Sequence, residues 1–122
     1  LDLQVATLEL RPDVVDGSGW TGRVRFSGSL RLSGRYQPHP SYPEVQELCF
    51  YPDSTSATRL PRLPNDRRTS WFCFSNQEQA QADMASLPAT GAATIVIDRY
   101  DYLYQHTDTY NTARLQEVAG RP

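Results

Sequence analysis

Two cysteines and two histidines are the side chains of this chain best suited to chemistry: Cys49 in ELCFYP, Cys73 in SWFCFSN, His39 and His106. A zinc site, a nucleophilic Cys–His pair and a disulfide are the uses to weigh. Structural zinc takes four N or S ligands, commonly with a close CxxC pair, whereas these cysteines stand 24 positions apart and the histidines are isolated. A nucleophile must be a free thiol. The settings of the two cysteines favour a bridge. Leu48 and Phe50 flank Cys49, and Phe72 and Phe74 flank Cys73. Period-two alternation turns those four residues to a core and both cysteines outward, on two strands joined by a long loop. Directly opposed residues on paired strands lie within disulfide reach. A Cys49–Cys73 bridge is therefore predicted, and with it an oxidising compartment such as the periplasm, cell surface or secreted fraction. The alternative is two unlinked thiols in a cytosolic protein.

No enzyme signature accompanies them: GxSxG, HExxH, P-loop and Rossmann glycine patterns are absent from the sequence. DVVDGSG (13–19) lacks the oxygen-ligand spacing and closing Glu of a calcium loop and reads as a turn. No metal, cofactor or catalytic set is expected. Arginines and tyrosines offer binding chemistry instead. All twelve basic residues are Arg, yet the net charge is −2, which argues against bulk nucleic-acid binding. Arg is the better fork for carboxylate and phosphate, although a GC-rich coding sequence also favours it. Arg23, Arg25, Arg31 and Arg35 share one parity of a long alternating stretch. They form either a grip for an acidic partner or a solvated face that discourages edge pairing. Tyr100, Tyr102, Tyr104 and Tyr110 cluster near a late turn, as exposed contacts or as cross-strand packing. Arg59, Arg62, Arg67 and Arg68 sit in a long Pro-bearing loop, 52–69, where either function or a tolerated insertion fits.

The elements that position these residues follow from periodicity. Residues 1–10 form a first strand or an extension, and 11–19 a turn-rich break. WTGRVRFSGSLRLSGRY (20–36) alternates throughout, with Gly28 and Gly34 on its apolar parity, and predicts one long, bent strand. Further strands are predicted over 44–51, 70–75, 91–104 and 110–118. A helix is predicted over 76–88: Asn76 is a suitable N-cap, Gln79 occupies the capping-box position, Ala80, Met84 and Leu87 share a face, and Pro88 stops it. The domain is thus a β-rich barrel over 20–118, with an N-terminal extension (1–19) and a short tail (119–122). No apolar run approaches the length of a membrane span. The chain begins at Leu1 without a Met or a visible signal peptide, which reads as a processed or trimmed product.

Three strands, a helix and two strands, with a long bent first strand, is the order of the OB-fold, a five-stranded Greek-key barrel. WFCFSNQEQAQADMASL, ATIVIDRY and TARLQEV resemble the second half of bacterial OB-fold domains of the tRNA-anti-like family, and GRVRFSG (22–28) is similar to that family's opening strand. Where the family usually has Gly after the fourth-strand alternation, this chain has Asp98. The resemblance implies a fold and carries no catalytic residues. TDTYNT (107–112) is also similar to the closing D-H-Y-x-T-F of microbial guanyl-specific ribonucleases, but Thr109 stands in the place of their catalytic His and Ala113 in that of their Phe. Without that His the general acid is missing. The expected function is a noncatalytic protein-binding module of the bacterial envelope, such as an inhibitor or immunity protein neutralising a toxin or enzyme. Single-stranded nucleic-acid or oligosaccharide binding is the alternative.

Overall fold

A computed structural model describes residues 4–12, 20–38, 47–62, 69–88, 90–104 and 111–120. Among these residues six strands and two short helices run in the order β1 (Gln4–Pro12), β2 (Trp20–Pro38), β3 (Leu48–Pro52), α1 (Ser54–Ala57), β4 (Phe72–Phe74), α2 (Gln77–Asp83), β5 (Gly91–Tyr104) and β6 (Asn111–Gly120). β2 pairs antiparallel with β3 and β5, β3 with β4, and β5 with β6, while β4 and β6 run parallel. Following these pairings returns the path to β2. The result is a closed, OB-like five-stranded barrel with its helix between the third and fourth barrel strands.

One strand can serve two neighbours on the same edge only if it bends, and the glycines of β2 permit this. Gly28 has φ 136°, a left-handed conformation that a side chain disfavours. It lies where the pairing with β5 shifts, so that Gly28 and Ser29 together face Asp98. β5 is irregular at the same place, with a shift in its pairing to β6 between Ile97 and Arg99. Gly34 acts differently: a Cβ there would collide with the Tyr51 carbonyl oxygen and meet Pro52 Cα at 2.7 Å. Its absence lets β3 approach.

The edge of β2 away from β5 is satisfied in three ways along its length. β1 pairs with residues 20–27, so the N-terminal stretch is a sheet strand, and it includes Arg11 and Pro12 from the predicted break. β3 pairs with residues 34–38. Between them, Ser33 N–H donates to Ser56 Oγ at 2.8 Å, Asp53 N–H donates to the Ser33 carbonyl at 2.9 Å, and Arg59 Nη1 donates to the Arg31 carbonyl at 2.6 Å. Backbone polar groups that no strand reaches are thereby capped. The predicted loop 52–69 accordingly contains α1, whose start is fixed by Asp53 Oδ1 accepting from Ser56 N–H at 2.8 Å.

The second helix corrects two expectations. It ends at Asp83, capped by the Met84 N–H bonding to the Ala80 carbonyl, before Pro88 is reached. The Asn76 side chain makes no cap bond to the helix. It donates to Gln79 Oε1 at 3.3 Å and is held chiefly by β6, donating to the Leu115 carbonyl and accepting from the Leu115 N–H, both at 2.9 Å. Its apolar face is as expected, with Ala80 and Met84 buried and Leu87 packed at the margin. The core joins Leu30, Leu32 and Tyr36 of β2 to Ile95 and Ile97 of β5 and Leu115 of β6. At its centre Phe72 lies 5.7 Å from Phe50, 5.6 Å from Phe74 and 5.9 Å from Tyr100, ring centroid to centroid. The latter two contacts are edge-to-face, which the ring quadrupoles favour.

Candidate binding surface

Cys49 and Cys73 are directly opposed in the β3–β4 ladder and joined as a disulfide. The predicted bridge is present, and neither cysteine is a free nucleophile. Their burial differs from expectation. Both lie off the core cluster, on the face opposite Phe50 and Phe72, yet both are completely buried. The outer face of β3 and β4 is therefore covered. Part of that surface is made by Tyr51 and Trp71, whose rings stack at 5.4 Å with an interplanar angle of 10°. Register alone brings them together: if 49 opposes 73 and 50 opposes 72, then 51 opposes 71. Arg35 of β2 pairs with Tyr51 on the other side. The Arg35 side chain is exposed, while Tyr51 and Trp71 are half-buried. The Tyr51 hydroxyl is buried, and the Gln37 amide close to it does not form a well-made hydrogen bond. Burial pushes its ionisation above the ordinary phenol range, and the Gln37 amide opposes that shift more weakly.

The arginines singled out in the sequence fall in different settings. Arg25 is committed within the fold: its Nε donates to Asp101 Oδ1 at 2.8 Å. The hydrogen bond, then the charge of Asp101, raises the Arg25 pKa further above its ordinary value. Asp101 also lies 3.8 Å from Arg99 Nε and 3.5 Å from Thr112 Oγ1. Arg31, Arg35, Arg59 and Arg62 are exposed, with Arg59 also holding the Arg31 carbonyl. Arg23 lies in β2, in register with Glu9 and Leu103. Arg67 and Arg68 lie outside the described residues, as do His39, His106 and the ribonuclease-like 107–110.

Two of the four tyrosines, Tyr100 and Tyr102, are not presented. Tyr100 and Tyr102 are 1% and 4% exposed and belong to the core. Their parity on β5 is the inward one, which Ile95 and Ile97 continue across the strand's irregular pairing. The Tyr100 hydroxyl accepts from Asn111 Nδ2 at 2.8 Å, and Asn111 Oδ1 accepts from the Leu103 N–H at 2.8 Å. Asn111 thus ties β5 to β6. Tyr104 lies in β5 opposite Gly22, and Tyr110 is outside the described residues.

Sequence reasoning missed the Tyr51–Trp71 pair, although the signal was present. Both share the parity of the cysteines and lie two residues from them, so predicting the bridge also fixed their contact. Among the described residues no group of His, Cys, Asp and Glu is arranged to hold a metal ion. Among the same residues no helix is long and apolar enough to cross a membrane. No family model, curated protein or solved structure matches the chain.

Proposed function

We propose that this protein is a noncatalytic protein-binding module that works in an oxidising compartment, the periplasm or envelope of a bacterium. It grips its partner with the outer face of β3 and β4 together with the adjoining Arg35 of β2. The stacked Tyr51–Trp71 pair beside Arg35 carries the reading. Trp, Tyr and Arg are the residue types that most often anchor protein interfaces. The Cys49–Cys73 bridge behind them holds the two strands in register, which lowers the ordering cost of binding. The bridge also supports the compartment. An inhibitor or immunity protein that blocks a toxin or enzyme is the concrete form of this activity. The order of elements supports kinship with the tRNA-anti-like OB domains, a kinship that implies no activity by itself.

Single-stranded nucleic-acid or oligosaccharide binding is the second reading, favoured by aromatic rings on the second and third strands of an OB-like barrel. Two observations rank it lower. The rings stack on each other and leave no slot for a base between them, and a net charge of −2 gives little attraction for phosphates. The test has two arms. Native protein and Trp71→Ala would be compared for stoichiometric co-purification of one envelope protein, with circular dichroism to verify the fold. Both would then be titrated with a single-stranded oligothymidylate of about 16 nucleotides at low and high salt. One partner, retained by the native chain and lost by the variant, is the expected result. Saturable, salt-sensitive oligonucleotide binding with no protein partner would replace the first reading with the second.

A further inference from the structure

A second surface lies along the barrel wall, away from the aromatic pair. Arg31 of β2, Val96 of β5 and Glu117 of β6 are in direct register across three strands. Their neighbours Leu30, Ile95 and Ile97 face the core, as does Leu115, two residues before Glu117 and across a register shift. Val96 is only 8% exposed yet lies outside that core cluster. It is an apolar floor on the outer face, walled by longer side chains. The groove above it has a volume of about 370 Å³, within the range of small-ligand sites. Arg31 and Arg59 stand on its rim, and the hydrogen bond from Arg59 Nη1 to the Arg31 carbonyl fixes one guanidinium beside the other residue. Ser29 Oγ and Gln116 Oε1 close one end with a 3.0 Å hydrogen bond. The bulge at Gly28 and Ser29, with register shifts in β5 and β6, shapes the wall locally.

We propose that this groove is a binding site for an amino-acid-like zwitterion, its carboxylate seated between Arg31 and Arg59 and its ammonium group directed to Glu117. Charge and spacing together carry the assignment. Two guanidinium groups favour a carboxylate, which they can hold through paired N–H donors. One carboxylate on the opposite side disfavours a multiply charged anion and favours a ligand with a cationic group of its own. Arg31 and Glu117 stand two interstrand spacings apart, about 10 Å between backbones, with Val96 between them. No ion pair joins them among the described residues. An amino acid or dipeptide end group spans such an interval, with its hydrocarbon portion over Val96. The site is independent of the aromatic face and of the partner proposed for it.

Amide chemical shifts of the intact, bridged protein test this directly, using glycylglycine, acetate and inorganic phosphate as probes. Glycylglycine should shift the amides of Arg31, Val96 and Glu117 saturably at millimolar concentration, at least about ten-fold more tightly than acetate. Arg31→Gln, on an exposed strand position that does not threaten the fold, should weaken glycylglycine by a similar factor. Glu117→Gln should bring glycylglycine down to the level of acetate. Acetate or phosphate binding as tightly as glycylglycine would overturn the zwitterion assignment. Absence of saturable shifts, or shifts unaltered in Arg31→Gln, would overturn the site.

Discussion

Asn111 and Tyr51 show opposite outcomes for a buried polar group. Asn111 is 8% exposed and uses both ends of its amide, to the Tyr100 hydroxyl and the Leu103 N–H. Removing it deletes both of these hydrogen bonds, each worth about 0.5–1.5 kcal/mol. Asn111→Ala should therefore lower stability by about 2 kcal/mol in urea unfolding, and Tyr100→Phe by about 1 kcal/mol. Strict additivity in the double variant would contradict the direct contact. The Tyr51 hydroxyl is buried with no well-made hydrogen bond, only the weaker influence of the Gln37 amide, so its removal relieves a desolvation cost. Tyr51→Phe should be neutral or stabilising by up to about 1 kcal/mol while retaining the stack on Trp71. The pH dependence follows the same cause. Burial raises the Tyr51 pKa above its ordinary 10.0, so the folded chain keeps a proton that the unfolded chain releases. Stability is unaffected by this group below about pH 10 and falls as pH rises above that value towards the folded pKa. The Tyr51→Phe chain should lose less stability over that alkaline range than the native chain, and identical slopes would remove Tyr51 as the cause.

At the scale of elements, β4 is the strand most in need of support. It has three residues, two pairs with β3 and three with β6. The disulfide closes a separation of 24 residues at this weak point, for which chain entropy gives about 3 kcal/mol. The Cys49→Ala/Cys73→Ala chain should lose about that much in urea unfolding. A loss below about 1 kcal/mol would mean that β4 is held by its aromatic packing alone. This bridge was legible because alternation in two short stretches fixed the parity of both cysteines. The long strand β2, the extent of β5 and the apolar face of α2 were legible for the same reason, a sustained period. Where the sequence misled, a tertiary contact had displaced a local one. Asn76 has the chemistry of an N-cap but bonds to Leu115, 39 residues away. The tyrosines of β5 were readable as presented or packed until their strand's inward side was known. The groove over Val96 could not be read, because its three-strand register depends on bulges in β2, β5 and β6 that leave little trace in composition.

The whole molecule is a barrel whose proposed contact face and principal covalent link share the same two strands. Tyr51 and Trp71 lie one register step beyond Phe50 and Phe72, and two beyond the bridged cysteines. Any splaying of β3 from β4 would part the stacked rings before it reached the core. The bridge should thus matter to recognition as well as to stability. Preorganised surfaces bind more tightly because the partner need not order them, at about 0.5–1.5 kcal/mol per immobilised side chain. Two rings and the Arg35 side chain would then correspond to about a ten-fold or greater difference in affinity. The native chain and the Cys49→Ala/Cys73→Ala chain should be compared for binding to the co-purified partner without denaturant, where both are folded by circular dichroism. The unbridged chain is expected to bind at least about ten-fold more weakly, chiefly through faster dissociation. Equal affinities from two folded chains would confine the bridge to stability, and would move the contact face from the Tyr51–Trp71 pair to another part of the barrel.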